Sequence, residues 1–169
     1  MRMAAFDTSA IKQFPAGACR LIFRGSRLEP NMSDVPAKIS RTDAEWRDLL
    51  TPEQFRVGVK EGTERAFTPG NFNDEKREGV YHCVGCDTPL WSSEHKFDSG
   101  TGWPSYWQPV SEGVIETKTD FKLVLPRTEC HCAICGLHQG HVFRDGPPPT
   151  GQRWCINGVV LDFRPKTNG

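Results

Sequence analysis

Two Cys-x-x-Cys clips, Cys83-Val84-Gly85-Cys86 and Cys132-Ala133-Ile134-Cys135, lie 45 residues apart in a chain that carries seven cysteines. Four soft thiolates delivered as two short clips suit a tetrahedral Zn²⁺ site, and a closed four-cysteine site leaves no open position for chemistry. Gly136, after the second clip, permits the tight backbone turn of a metal knuckle. Iron accepts four thiolates as well, so zinc rests on availability rather than on donor type. The competing reading of such a clip, a thioredoxin-like redox pair, wants a βαβ context. Neither clip opens a helical pattern, and Asp87-Thr88-Pro89 breaks the chain after the first. The duplicated spacing favours one structural zinc ion per chain on Cys83, Cys86, Cys132 and Cys135.

Reactive chemistry then falls to Arg153-Trp154-Cys155-Ile156-Asn157. In a strand alternate side chains share a face, which groups Arg153, Cys155 and Asn157 against Trp154 and Ile156. A guanidinium beside a thiol favours the thiolate, the nucleophilic form. The bland alternative is that Cys155 is a small core residue, since free cysteine is often buried. His138 and His141 follow the second clip. With four cysteines filling a tetrahedral site these imidazoles are spare, and either donate protons near working pH or bond structurally to backbone.

The elements that must position these groups are short. Thr42-x-x-Glu45 is a capping box ahead of Trp46, Leu49 and Leu50, and Thr51-Pro52-x-Gln54 repeats it ahead of Phe55. Two short helices are expected there. Gly62 to Gly79 reads as irregular, anchored by Phe67 and Phe72. Val80 to Cys83, Val114 to Thr119, Phe121 to Leu125 and Gln152 to Phe163, the last broken at Gly158, read as strands. Strands without intervening helices imply antiparallel sheets packed on one another. The 16 Gly and 13 Pro suit such a turn-rich fold.

Size and charge narrow the function. A chain of 169 residues forms one domain with a real core. With 21 basic and 21 acidic residues it has no electrostatic case for nucleic acid or an anionic membrane as partner. Residues 1–31 differ from the rest, with Arg2, Lys12, Arg20, Arg24 and Arg27 against Asp7 and Glu29. Residues 1–39 are expected to be a disordered N-terminal extension. Arg20 interrupts the best apolar stretch there, so no secretory signal is read, and free thiols fit a reducing cytoplasm.

From about Ser40 to Pro165 the chain resembles the methionine sulfoxide reductase type B family. The resemblance is carried by Gly62-Thr63-Glu64-Arg65, both metal clips, Phe97-Asp98-Ser99-Gly100, Gly102-Trp103-Pro104-Ser105, the run from His138 to Asp145, and Arg153 to Asn157. It implies a mainly β fold over residues 40–166, two packed antiparallel sheets with short N-terminal helices, stapled by zinc. It implies reduction of the R epimer of methionine sulfoxide in oxidised proteins, with Cys155 as nucleophile. His141 and Asn157 assist protonation of the sulfoxide oxygen; His138, Asp145 and Arg153 complete the polar site; Trp103 holds the substrate methyl group. Thioredoxin or a small thiol would regenerate a monomeric enzyme. One departure stands out: where the family commonly has a recycling cysteine, this chain has Thr101. Cys19 and Cys130 are the remaining thiols that could serve in its place.

Overall fold

The first helix, α1 (Asp43–Leu49), starts where its capping box predicts: Thr42 Oγ1 accepts from the Glu45 amide at 3.3 Å, and Glu45 accepts from the Thr42 amide at 2.7 Å. Such a cap is worth about 1 kcal/mol. Thr51 and Gln54 repeat it for α2 (Pro52–Gln54), which widens into a single π turn over Phe55–Val59. This is a computed structural model, and it describes residues 38–120 and 126–167. The expectations for residues 1–37, Cys19 included, and for a strand at 121–125 lie outside the described residues.

Among the described residues nine strands follow: β1 (Gly79–Cys83), β2 (Pro89–Ser92), β3 (Lys96–Phe97), β4 (Ser105–Tyr106), β5 (Ile115–Asp120), β6 (Arg127–Cys132), β7 (His138–Phe143), β8 (Arg153–Ile156) and β9 (Leu161–Pro165). They form two antiparallel sheets, ordered β2-β1-β9 and β3-β4-β8-β7-β6-β5. The long strand pattern expected from Gln152 to Phe163 does break at Gly158: β8 and β9 flank a 3₁₀ turn over Gly158–Val160 and belong to different sheets.

Aromatic side chains join the sheets. Trp91 of β2 stacks on Tyr106 of β4 at 5.1 Å and meets Trp154 of β8 at 5.6 Å, while Tyr81 of β1 lies edge-on to Tyr106 at 5.5 Å. Phe72 anchors the irregular segment by an edge contact on Tyr81 at 5.8 Å, as expected. Phe67 does not: it is 66% exposed. Its backbone N–H is held by Gly102 O at 2.8 Å, which puts the ring over Gly102 on the surface instead of in the core. Among the described residues no helix is long and apolar enough to cross a membrane.

Candidate functional site

The two metal clips end one strand in each sheet. Cys83 closes β1 and Cys132 closes β6, with Cys86 and Cys135 on the turns that follow. Gly136 takes the positive φ of +73° that the knuckle requires, and its amide bonds to Cys132 O at 2.8 Å. Their four sulfurs lie within 4.8 Å of one another, with Cys83–Cys135 at 3.6 Å and Cys86–Cys132 at 3.5 Å. A disulfide needs about 2.05 Å. Four thiolates at about 2.3 Å from one tetrahedral ion stand about 3.8 Å apart. The cysteines are therefore placed to bind a metal ion, and the clips tie the two sheets together.

Cys155 occupies the middle of β8. The register pairs it with Ser105 of β4 on one side and His141 of β7 on the other, so the three side chains share one face. Trp154 and Ile156 point to the opposite face and are buried. The strands approach closely at this point: a Cβ on Gly140 would sit 2.0 Å from Cys155 O. Above Cys155 opens a cavity of about 170 Å³ lined by Thr63, Trp103, Arg127, His141, Phe143 and Asn157 among others.

Burial pushes the Cys155 thiol up, and the Arg153 guanidinium and the Thr101 hydroxyl pull it back without reversing the direction. The simple expectation that Arg153 makes Cys155 a thiolate is thus outweighed by desolvation, which disfavours the charged form. Arg153 is itself engaged by Asp145, with two bonds of 2.9 Å. This pair lies at the rim, outside the cavity. Thr101 belongs to a chain of hydroxyls, bonding to Ser99 at 2.8 Å, which bonds to Ser105 at 2.8 Å.

His141 bonds through Nε2 to Asp120 Oδ2 at 3.0 Å, and Arg127 bonds to the same oxygen at 2.8 Å. Burial lowers the His141 pKa, with Asp120 opposing. The ring is therefore neutral at neutral pH, with Nε2–H given to Asp120 and Nδ1 left for other partners. His138 lies behind the cavity wall, fully buried, with Nδ1 at 2.5 Å from Glu129 and Nε2 at 3.5 Å from the Asn157 amide. Asn157 follows β8; its Oδ1 accepts from the Glu64 amide at 3.0 Å and its Nδ2 donates to Gln139 O at 3.1 Å.

Glu64 is the hub of this wall. Its carboxylate accepts from the Gly158 and Val159 amides at 2.8 and 2.9 Å, and from Asn71 at 3.3 Å. Its own carbonyl accepts from Trp103 Nε1 at 3.3 Å. Cys155, His141, Trp103 and Asn157 therefore converge on one cavity, His138 supports it from behind, and Arg153 and Asp145 edge it. Asp120, Glu64, Arg127 and Glu129 were not read as site residues from the sequence. Arg127, Glu129 and His131 alternate with Thr128, Cys130 and Cys132, a polar face that could have flagged the first two. Asp120 and Glu64 carry no such signal.

Register also decides the position of Cys130. It pairs with Gly140, which pairs with Ile156, so it faces away from Cys155 with β7 between them. Two strand spacings come to about 9.6 Å, beyond the roughly 7 Å between Cα atoms that a disulfide spans. Cys130 is also fully buried. It cannot pair with Cys155 while the sheet is intact.

Comparison with known proteins adds a consistent set of likenesses. The SelR domain family matches residues 50–165. A protein of Pseudomonas putida (strain W619) named peptide methionine sulfoxide reductase MsrB is 54% identical over 129 residues, covering 76% of this chain and 96% of that one. An MsrB of Methylibium petroleiphilum is 52% identical over 133 residues, 79% of this chain and 96% of its own. Peptide methionine sulfoxide reductase B1, chloroplastic, of Oryza sativa subsp. japonica is 54% identical over 126 residues, 74% of this chain and 58% of its own length. Among solved structures, the Mis18 'Yippee-like' domain covers 54% of this chain with a TM-score of 0.43 and 16% identity.

Proposed function

The chain belongs to the SelR domain family of MsrB methionine sulfoxide reductases, and on that premise we propose how its own residues carry out the reaction. It is an oxidoreductase that reduces methionine sulfoxide with electrons from thiols, and so repairs oxidised methionine. The finer reading is that Cys155 is the nucleophile, that the R epimer of protein-bound sulfoxide is the substrate, and that residues 40–166 are the reductase domain. One observation carries it: Cys155 forms the floor of a cavity walled by a neutral histidine and an indole.

The oxidised side chain enters the cavity with its S-methyl group against Trp103, where sulfur–aromatic contact adds about 0.3–1.5 kcal/mol. Cys155 sulfur attacks the sulfoxide sulfur. His141 Nδ1 takes the thiol proton and hands it to the sulfoxide oxygen, while Asp120 fixes the ring through Nε2. Oxygen then passes to the Cys155 sulfur as both its bond to the methionine sulfur and the sulfur–sulfur bond formed in the attack break. Methionine leaves and Cys155 remains as sulfenic acid, a reversible state. Asn157 and His138 hold the wall that orients His141, and the Arg153–Asp145 pair steadies charge at the rim. Two external thiols then return Cys155 to the thiol, releasing water and a disulfide. Thr101 offers no thiol and Cys130 is on the far face, so among the described residues no cysteine recycles Cys155, and the proposed reductant is a small thiol or a thioredoxin-like protein.

Zinc, preferred to iron on availability, is the ion proposed for the four thiolates, as a structural group that supplies no chemistry at Cys155. A monomer is supported by the scarcity of exposed large apolar residues: among the described residues only Leu49 and Phe67. A reducing cytoplasm fits the unpaired cysteines. Zero net charge gives no reason for a nucleic-acid partner.

The test is Cys155→Ser, assayed on separate epimers of a peptide methionine sulfoxide with dithiothreitol as reductant. The wild type should consume the R epimer and leave the S epimer. The variant should lose turnover by at least about 10³-fold, as removal of a covalent nucleophile does, while keeping its metal and fold. Near-wild-type turnover by the variant would move the nucleophile elsewhere.

A further inference from the structure

Glu129, His131 and His138 form a second cluster of metal-ligating side chains, separate from the cysteine cage. One carboxylate oxygen, Glu129 Oε1, lies 2.9 Å from His131 Nε2 and 2.5 Å from His138 Nδ1, and the three ligand atoms all lie within 4.8 Å of one another. Glu129 and His138 are almost fully buried, while the His131 side chain is 12% exposed. That leaves one flank open to solvent. The cluster lies on the same sheet face as Cys155, because Glu129 pairs with His141 and His141 with Cys155.

We propose that Glu129, His131 and His138 form an inhibitory site for a borderline divalent transition ion, such as Zn²⁺ or Co²⁺, linked through His138 to the wall of the Cys155 cavity. Two imidazoles and a carboxylate are the donor set such ions prefer over Mg²⁺ or Ca²⁺. Ligands at about 2.1 Å from a five- or six-coordinate ion stand about 3 Å apart. The Glu129–His131 separation already fits, and the Glu129–His138 separation opens by about half an ångström. Neighbouring charge is close to balanced: Glu116, which pairs across the sheet with His131, is held by Lys38 at 2.6 Å, and Glu61 is held by Lys118. The cation nearest the cluster is Lys118, 3.7 Å from Glu129. It is half exposed and already bonded to Glu61, so it can retreat.

The link to catalysis is a tautomer change. Without an ion, His138 Nδ1 lies 2.5 Å from Glu129 Oε1 and Nε2 lies 3.5 Å from the Asn157 amide, where an Nε2 lone pair would accept from it. An ion on Nδ1 moves the proton to Nε2, where N–H faces the Asn157 NH₂. Two donors then oppose each other at 3.5 Å, and Asn157 must shift away from Glu64 and Gln139, its present partners. This consequence rests on the reductase reading of the cavity; the ion site itself does not.

Co²⁺ is titrated into the full-length, zinc-loaded protein. One further ion per chain should bind, with the weak visible absorption of nitrogen–oxygen ligation and no intense thiolate charge transfer. His131→Gln should weaken it by 10–100-fold and leave zinc content and the reductase activity measured without Co²⁺ unchanged. Lys118→Met should tighten it. Reductase activity should fall in step with occupancy in the wild type, and in His131→Gln only at correspondingly higher Co²⁺. Absence of a further ion, unchanged affinity in His131→Gln, or absorption from thiolate charge transfer alone overturns the site. Full activity at full occupancy overturns the coupling to Cys155 while the binding data stand separately.

Discussion

At Cys155 burial and positive charge act against each other, and burial wins. The thiol is raised above its ordinary value of 9.0, with Arg153 and Thr101 limiting the rise. Below that raised value the thiol holds its proton, so the thiolate fraction grows as pH rises. In the proposed mechanism His141 beside it, its pKa lowered by burial, supplies the missing base. Arg153→Met removes the largest of the two stabilising influences. Iodoacetamide labelling of the Cys155 peptide, followed by mass spectrometry across pH, should show an inflection above 9.0 in the wild type. In Arg153→Met the inflection should lie higher still, and labelling at a fixed pH of about 8 should slow severalfold. An unchanged or lower inflection would show that Asp145 has already cancelled the guanidinium.

Three separate elements meet at Glu64: the segment before the metal clips, the loop carrying Trp103, and the turn between β8 and β9. None has enough regular structure to hold itself, and one buried carboxylate satisfies the amides of Gly158 and Val159 and the side chain of Asn71. Burial raises its pKa despite these bonds. Glu64→Ala leaves buried donors without acceptors, a loss of about 3 kcal/mol. The melting temperature should fall by roughly 6–12 °C. Because the Glu64 backbone also receives Trp103 Nε1 and donates to Asn157, the surviving folded enzyme should show a raised KM with a smaller change in kcat. Thermal melts and steady-state kinetics check both; a melt lowered with KM unchanged would confine Glu64 to stability.

Over the whole molecule the four-cysteine cage is the covalent-like link between sheets that otherwise meet through aromatic rings. A metal bound there is worth on the order of 10–16 kcal/mol in small zinc peptides. Cys132→Ser should therefore lose metal and native packing together, with near-ultraviolet circular dichroism and metal content falling in parallel. A metal-free, folded and active Cys132→Ser protein would show that Trp91, Tyr81, Tyr106 and Trp154 hold the sheets unaided.

The cage, the two capped helices and the thiol strand were legible in the sequence because each is set by local spacing. A Cys-x-x-Cys clip closes within one turn, a capping box within four residues, and strand alternation places Cys155 opposite Trp154 and Ile156. Phe67, expected with Phe72 to anchor the irregular segment, lies at the surface instead, since hydrophobicity alone does not say that a backbone bond to Gly102 holds its ring there. The partners of the proposed catalytic groups lay beyond sequence reasoning for the same reason. Asp120 reaches His141 across 21 positions and Glu64 reaches Gly158 across 94. Such contacts arise only when β5, β6 and β7 pair side by side and irregular segments close over the sheet. The sequence by itself determined the metal clips and the strand spacing around Cys155. The tertiary structure decided their protonation and their reach: burial sets the Cys155 and His141 equilibria, and strand register puts Cys130 on the wrong face of the sheet.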